Sequence, residues 1–311
     1  MDTTPLVSVV VITYNSSSTV LETLDSIKNQ DYPNVELIVA DDCSKDDTVG
    51  IVRNWLSAYG SRFVCSELVA SSKNTGVSGN LNRGWRKAHG EWVKPIAGDD
   101  LLLPDCLSVN VAQARSNPHV KTIFSRARFF GDPDICKKYS SFGYGIFGLN
   151  NREKYLYLLT DNCIIAPAAF VSRAYLESVG GYNEDIPFIE DWPFWIKMFK
   201  DNNDVAFLNR ETVRYRMAPS LSLGDGGGSR FKENRRMVLE YAYDLQSREN
   251  IVYRLYAFLS KRLREGKSAW YSFLIRLNFY YYYYFYLYRK IYRFSQEFNL
   301  VKDNSNAHTM D

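Results

Sequence analysis

Lys94-Pro95-Ile96-Ala97-Gly98-Asp99-Asp100-Leu101-Leu102-Leu103-Pro104-Asp105 is the stretch around which the rest of the chain arranges itself. An apolar run over residues 92–96 reads as a buried strand. It stops at Gly98, two adjacent carboxylates follow, and a short loop leads past Pro104 into a helix. Adjacent Asp residues at the mouth of a buried strand repel each other and lose solvation unless a cation sits there. Hard divalent cations take carboxylate oxygens and commonly hold a phosphate too, so the pair reads as a metal–diphosphate site. A surface turn with two solvated Asp is the alternative.

The residues upstream repeat the same unit. Val7–Thr13 (VSVVVIT) and residues 35–40 (VELIVA) are continuous apolar runs, as in strands buried on both faces of a parallel sheet; residues 63–70 form a third. A polar loop and a helix follow each. The first helix covers 19–29, with Ser18 as its cap and Val20, Leu24 and Ile27 on one face. The second opens at Asp46-Asp47-Thr48 and runs through Val52, Trp55 and Leu56; the third ends at Ala88. Four strands alternating with helices predict an α/β fold with an open, mostly parallel sheet and right-handed crossovers. Ligands of such sheets bind beyond the carboxyl ends of the strands. Three polar clusters fall at that edge: Thr13-Tyr14-Asn15, Asp41-Asp42 and Asp99-Asp100. Tyr14 to Val20 holds no glycine, which excludes the GxGxxG dinucleotide fingerprint, and the phosphate loop of nucleotide hydrolases is absent too.

Downstream, the pattern predicts a helix from Pro104 to Asn117 and a strand over 120–128. Residues 129–150, rich in Gly and Tyr, read as a loop or mobile lid. A helix over 172–179 precedes the turn Gly180-Gly181-Tyr182-Asn183. Glu190-Asp191-Trp192-Pro193 opens a helix ending at Lys200, and on physics alone Asp191 serves as its cap as readily as a catalytic carboxylate. Two edge strands, 205–208 and 213–216, and a glycine linker, 224–228, complete a first domain of residues 1–223. Residues 229–298 read as a helical, membrane-associating region, and 299–311 as a disordered tail.

Charge is unevenly placed. Of 38 Lys and Arg and 35 Asp and Glu, 11 basic and 3 acidic residues fall between Arg248 and Lys302, leaving 27 against 32 elsewhere. The basic residues punctuate an aromatic run, Trp270 to Phe294, that contains five consecutive Tyr at 280–284. Aromatic rings partition to headgroup level and cations favour anionic lipid, so this reads as an interfacial helix on an anionic membrane surface. A helical hairpin packed on the catalytic core or a second subunit is the alternative. Five scattered Cys lack any CxxC pairing and suggest reduced, buried thiols rather than a disulfide or zinc framework. No signal peptide, membrane span or nucleic-acid partner is expected.

These residues resemble the inverting family 2 glycosyltransferases with the GT-A fold, of the bacterial surface-polysaccharide and O-antigen type. The resemblance covers about residues 6–220. Val9-Val10-Val11-Ile12-Thr13-Tyr14-Asn15 is similar to the family's opening strand and loop, and Glu36 to Ser44 with Asp46 and Thr48 to its second strand and acidic turn. Asn74, Gly76, Val77, Asn82 and Gly84 match its NxGvsxxxNxG element; Gly98-Asp99-Asp100 matches its metal motif, and Glu190-Asp191 followed by Trp195 its acceptor-side ED motif.

The resemblance implies a division of labour. Thr13, Tyr14, Asn15, Asp41, Asp42 and Asn74 would surround the nucleotide; Asp99 would face its ribose or the metal. Asp100 would ligate Mn²⁺ or Mg²⁺ on the diphosphate, and Asp191 would deprotonate the acceptor hydroxyl. Glu190, Trp192 and Arg216 would serve the acceptor or phosphates. In-line attack calls for a base on the sugar face opposite the leaving diphosphate, so base and metal ligand should come from different chain segments. Partial burial beside Trp192 and Trp195 would raise the basicity of Asp191. The family's Asp-x-Asp-Asp begins with Ala97 here, Leu81 replaces an Arg, and Tyr215-Arg216-Met217-Ala218 lacks a metal-holding His.

The reading is therefore an enzyme transferring a hexose from a nucleotide sugar, a UDP-sugar, to a lipid-diphosphate-linked saccharide. It would be peripheral on the cytoplasmic face of the inner membrane, with homo-oligomerisation left open. Ala97 and Ala218 motivate an alternative, an inactive nucleotide-sugar-binding partner in a polysaccharide assembly complex. A nucleotidyltransferase is a third reading, opposed by the missing Gly-rich loop.

Overall fold

Alternate residues of the first strand explain the layering. Val7, Val9 and Val11 face one helical layer, Val10 faces the other, and all four are fully buried. The computed structural model describes residues 4–138, 141–217, 229–264 and 270–307. The first half alternates as the sequence predicts: β1 Val7–Thr13, α1 Val20–Lys28, β2 Val35–Asp41, α2 Thr48–Tyr59, β3 Cys65–Ala70, α3 Gly76–Trp85 and β4 Trp92–Ala97. Then come β5 Leu101–Leu102, α4 Cys106–Ser116, β6 Thr122–Gly131, α5 Pro133–Lys138 and α6 Asn151–Leu158. β7 Ala169–Ser172, α7 Arg173–Val179, α8 Asp191–Lys200 and β8 Val205–Met217 follow. The chain continues as α9 Ser229–Ser247, α10 Ile251–Arg264, α11 Trp270–Leu277 and α12 Phe279–Ala307.

The chain divides into two compact units. The first comprises Met1–Tyr139, Ile165–Glu190 and Asn203–Gly228 and contains an eight-stranded sheet in the order β3-β2-β1-β4-β7-β6-β8-β5. β3, β2, β1 and β4 are parallel. β7 runs antiparallel to both β4 and β6, so beyond β4 the sheet is mixed. Val20, Leu24 and Ile27 of α1 pack on Val7, Val9 and Val11 together with Val52 and Trp55 of α2 and Leu107 and Val111 of α4. α3 covers the other face. It approaches so closely that a Cβ on Gly84 would lie 2.4 Å from Val10 Cγ1.

Three local expectations are corrected. Ser18 does not cap α1; the cap position is Thr19, whose hydroxyl accepts no N–H from the helix and donates instead to the Gly98 carbonyl (2.7 Å). The two expected edge strands are one 13-residue strand, β8, lying between β6 and β5. Its polar middle, Asn209-Arg210-Glu211, falls at a register shift opposite Arg126 and so breaks the apolar pattern without breaking the strand. Two short strands, β5 and β7, had no periodic signal of their own.

The second unit comprises Ser140–Ile164, Asp191–Asn202 and Ser229–Asp311, so two of its three segments come from within residues 1–223. Within it the expected mobile lid is, over Ser141–Gly148, a 3₁₀ segment with Tyr144 and Ile146 buried. Its glycines serve contact. A Cβ on Gly145 would lie 1.9 Å from the Ile291 carbonyl, and one on Gly148 2.5 Å from the Phe294 ring. Asn150 and Glu153 form a reciprocal capping box that starts α6. Glu153 also takes Lys290 Nζ of α12 (2.7 Å), and Tyr280 of α12 donates to the Leu156 carbonyl (2.7 Å). α12 is helical through Ala307, past the point where the tail was expected to be disordered. The glycine linker 224–228 lies outside the described residues, as do 308–311. Among the described residues no helix is long and apolar enough to cross a membrane.

Candidate active site

The first unit gathers the donor-side candidates at the carboxyl end of β1, β2 and β4. Three hydroxyls of α1, spaced i, i+4 and i+7, hold the loop that carries Asp99 and Asp100. Thr19 donates to Gly98 O (2.7 Å), Thr23 to Asp100 O (2.8 Å), and Ser26 accepts from Leu102 N (3.1 Å). Gly98 leaves no space for a side chain, since a Cβ there would come within 2.8 Å of Thr13 Cγ2. The acid loop is thus packed directly on the end of β1.

Asp100 is 2 % exposed and Asp99 partly exposed. Arg216, at the end of β8, frames them. Its backbone N–H donates to Asp100 Oδ1 (2.8 Å), its Nε to the Asp99 carbonyl (2.8 Å), and a terminal nitrogen to Glu22 Oε2 (2.6 Å). The guanidinium also lies 4.5 Å from the centre of the Phe130 ring. Arg216 is therefore held by Glu22 and a carbonyl, and among the described residues neither Asp99 nor Asp100 forms an ion pair. Burial raises the pKa of both carboxyls. That of Asp100 rises well above the usual carboxylate range, with the neighbouring Asp99 charge adding to burial. Two adjacent carboxylates without an ion pair are hard oxygen donors that suit a divalent cation. Among the described residues no group of three or more His, Cys, Asp or Glu side chains adds further ligands. Mn²⁺ or Mg²⁺ would thus be held by Asp99 and Asp100.

Behind this pair stands Lys94, fully buried in β4. Burial lowers its pKa, while Cys106 and Asp100 oppose that shift. Its ammonium donates to the carbonyls of Pro167 and Ala169 and so fastens β4 to the entry of β7.

Asp41 and Asp42 differ from this. Asp41 accepts from Thr13 Oγ1 (2.8 Å), Ser44 N (2.9 Å) and Ser44 Oγ (2.5 Å). Asp42 accepts from Thr75 N (2.9 Å), Thr75 Oγ1 (2.7 Å) and Gly76 N (2.8 Å) at the start of α3, and pairs with Arg83 (3.2 Å). Both are almost fully buried. Their carboxylates order the loops that would surround a nucleotide. Asn74 belongs to the same turn, accepting from Gly76 N (3.2 Å). Tyr14 is 45 % exposed, and Asn15, at a positive φ of 52°, accepts from Lys45 N (2.7 Å). Arg83 went unnoticed in the sequence, although its place in the NxG element, two residues after Leu81, was a usable signal.

Of the acceptor-side candidates, Glu190 belongs to the first unit and Asp191 and Trp192 to the second. Asp191 begins α8 and keeps part of its surface open. Its Oδ1 accepts from Trp192 N (2.7 Å) and its Oδ2 from Asn162 Nδ2 (2.9 Å). Burial raises its pKa, against the opposing pull of Asn162 and the Trp192 N–H. Asn162 was missed by sequence reading. Its own carbonyl accepts from Ile164 N (3.0 Å), which fixes the amide orientation and points the NH₂ at Asp191. Trp192 is buried, and its indole N–H donates to the Leu158 carbonyl (2.7 Å), so this ring anchors α8 on α6.

The sequence profile described as Glycosyl transferase family 2 matches residues 8–180, more than half of the chain. The chain belongs to glycosyl transferase family 2. The UDP-Glc:α-D-GlcNAc-diphosphoundecaprenol β-1,3-glucosyltransferase WfaP of Escherichia coli is 25% identical over 230 residues, which cover 73% of this chain and 82% of that protein. The GalNAc(5)-diNAcBac-PP-undecaprenol β-1,3-glucosyltransferase of Campylobacter jejuni is 32% identical over 139 residues, 45% of this chain and 43% of that protein. This chain spans only 32% of a Rickettsia felis glycosyltransferase and 43% of EpsE of Bacillus subtilis, under half the length of each. Among solved structures, TarS of S. aureus with UDP-GlcNAc has a TM-score of 0.59 at 22% identity, covering 82% of this chain and 71% of that one. The mannosyltransferase PcManGT of Pyrobaculum calidifontis, solved with GDP-Man and Mn²⁺, has a TM-score of 0.55 at 20% identity, covering 96% and 88%. These likenesses show the shared GT-A fold.

Proposed function

We propose that this transferase moves a hexose from a UDP-sugar, with inversion, onto a lipid-diphosphate-linked saccharide during assembly of a bacterial surface polysaccharide or O-antigen. The observation that carries the reading is the Asp99-Asp100 pair beyond the carboxyl end of β4, Asp100 buried and Asp99 partly exposed, with no ion pair to either among the described residues. The Escherichia coli relative uses UDP-Glc as donor, and it and the Campylobacter jejuni relative both act on diphosphoundecaprenol-linked saccharides, which supports the donor and acceptor class.

Mn²⁺ or Mg²⁺, when bound, supplies neutralisation of the charge that develops on the departing nucleoside diphosphate. Asp99 and Asp100 would hold that cation. Arg216 fixes Asp100 through its backbone N–H and presents a guanidinium beside the same loop for a phosphate contact. Asp41, Asp42 and the Asn74 turn keep the Thr13-Tyr14-Asn15 loop in register for the base and ribose. Asp191 takes the proton from the acceptor hydroxyl, and Asn162 orients it while Glu190 lines the acceptor. A carboxylate with a raised pKa is a better proton acceptor for an alcohol. The lipid part of the acceptor sets the working place at the cytoplasmic face of the inner membrane.

The test is to incubate purified protein with common UDP-sugars, Mn²⁺ and a synthetic diphosphate-lipid sugar. The absence of both transfer and hydrolysis with every donor would overturn the proposal. Ala97 and Ala218 favour a second reading, a binding partner without turnover. Calorimetric UDP–Mn²⁺ binding with no turnover, indifferent to Asp191→Asn, would establish that one instead.

A further inference from the structure

The second unit carries a surface that its own core does not use. From Ile251 to Arg293 the sequence has nine Lys and Arg and one acid, Glu265. The helices in this span bury a narrow face: Ala257 and Leu259 of α10, Ile275 of α11, and Tyr280, Leu287 and Ile291 of α12. The opposite side is apolar as well. Trp270 is 67 % exposed, Leu277 64 % and Phe279 73 %, with Leu255, Phe258 and Phe273 about half exposed beside them. α11 has eight residues and buries one. An ordinary surface helix turns charged residues outward, and a patch of this kind marks a docking surface.

Charge selects the occupant. In a two-fold pairing of this face with a second copy, a cationic surface would meet an identical cationic surface. The complementary partner is apolar and anionic at once, which describes the headgroup layer of an anionic bilayer. We propose that α11, with the first turn of α12 and the outer face of α10, lies in that layer. Trp270, Phe273, Leu277 and Phe279 enter the acyl boundary, and the exposed Arg254 and Arg276 meet lipid phosphates. This narrows the broad aromatic region of the sequence to one short helix. It rests on the lipid-linked acceptor for its biological sense and on binding alone for its test.

Five of the six Trp residues, at 55, 85, 92, 192 and 195, are buried, so Trp270 reports on its own. The full chain is mixed with vesicles of phosphatidylcholine alone or with phosphatidylglycerol, with and without brominated acyl chains. Flotation with the anionic vesicles, a blue shift and quenching by brominated lipid are expected; Trp270→Tyr should abolish the blue shift and the quenching and leave flotation in place. Phe273→Ser with Leu277→Ser should weaken binding by at least about tenfold, and Arg276→Glu should weaken it about tenfold on anionic vesicles only. Unchanged thermal melting and UDP binding exclude misfolding of these variants. No flotation, equal binding to neutral vesicles, flotation without quenching, or dimerisation through Phe273 and Leu277 would each overturn the proposal. Vesicle binding without sugar transfer leaves the surface standing and sinks the acceptor reading; transfer without vesicle binding does the reverse.

Discussion

Two Asp-Asp pairs end two strands that flank β1, yet they are opposite kinds of site. Asp41-Asp42 closes β2 with its oxygens supplied by Thr13, Ser44, Thr75, Gly76 and the Arg83 guanidinium. Asp99-Asp100 follows β4 with one backbone N–H from Arg216 and no ion pair among the described residues. In sequence both are an apolar strand running into two carboxylates. The distinction lies in what the neighbouring loops donate. A pair whose oxygens are filled from within organises loops; a pair with few internal donors keeps oxygens open, which is the ground for proposing a cation there.

The largest expected consequence concerns the second pair. Asp100→Asn should reduce transfer by on the order of 10³-fold and abolish Mn²⁺-dependent UDP binding in calorimetry. Wild-type turnover in this variant would erase the contrast. Asp42→Ala should act on folding instead. It leaves the Thr75 and Gly76 N–H groups and Arg83 without their acceptor, at a cost of about 3 kcal/mol in urea denaturation. A stable variant that merely lost nucleotide affinity would show that Asp42 is a contact and not a brace.

Asp191 lies between the extremes, partly exposed and with donors from Asn162 and the Trp192 N–H, and tests whether donors set basicity. Removing the NH₂ that favours its charged form raises its pKa further. Asn162→Ala should therefore move the acidic limb of kcat/KM to higher pH by up to about one unit. Asn162→Asp should move it further, and a fall in rate without any shift would reduce Asn162 to packing.

The smallest effect is a gain in stability. Asp100 has a folded-state pKa above its unfolded value, so its charge opposes folding above the folded pKa, and the opposition vanishes once pH falls below the unfolded value. Without metal, Asp100→Asn should raise the melting temperature by about 2–4 °C at neutral pH. The advantage should disappear near pH 4. A variant less stable than wild type at neutral pH would show that the pair is compensated after all.

The parallel half of the fold was legible because strands buried on both faces must be apolar throughout; β1 is read residue for residue and β2 to within one. The acid pairs were legible as positions and not as roles, since the donors to Asp42 lie more than thirty residues away at Thr75 and Gly76. Short or interrupted strands escaped for the same reason. β7 has four residues, and the polar middle of β8 lies at a register shift, so no local period marks either. Glycines at 145 and 148 suggested mobility, whereas they allow a helix backbone and a Phe ring to come close. Asn162 has no motif at all; only folding shows that its amide points at Asp191.

The interleaving of the second unit bears on how the C-terminal helices could be removed or exchanged. α6 rests on α12 through Tyr280, the Glu153–Lys290 pair and the Tyr157–Tyr284 stack, and the 3₁₀ segment on α12 through Ser295. The C-terminal helices are therefore no detachable cassette. Truncation after residue 223 would strip the cover from segments that sit mid-chain, so a shortened enzyme that aggregates would be reporting a broken core rather than a lost address.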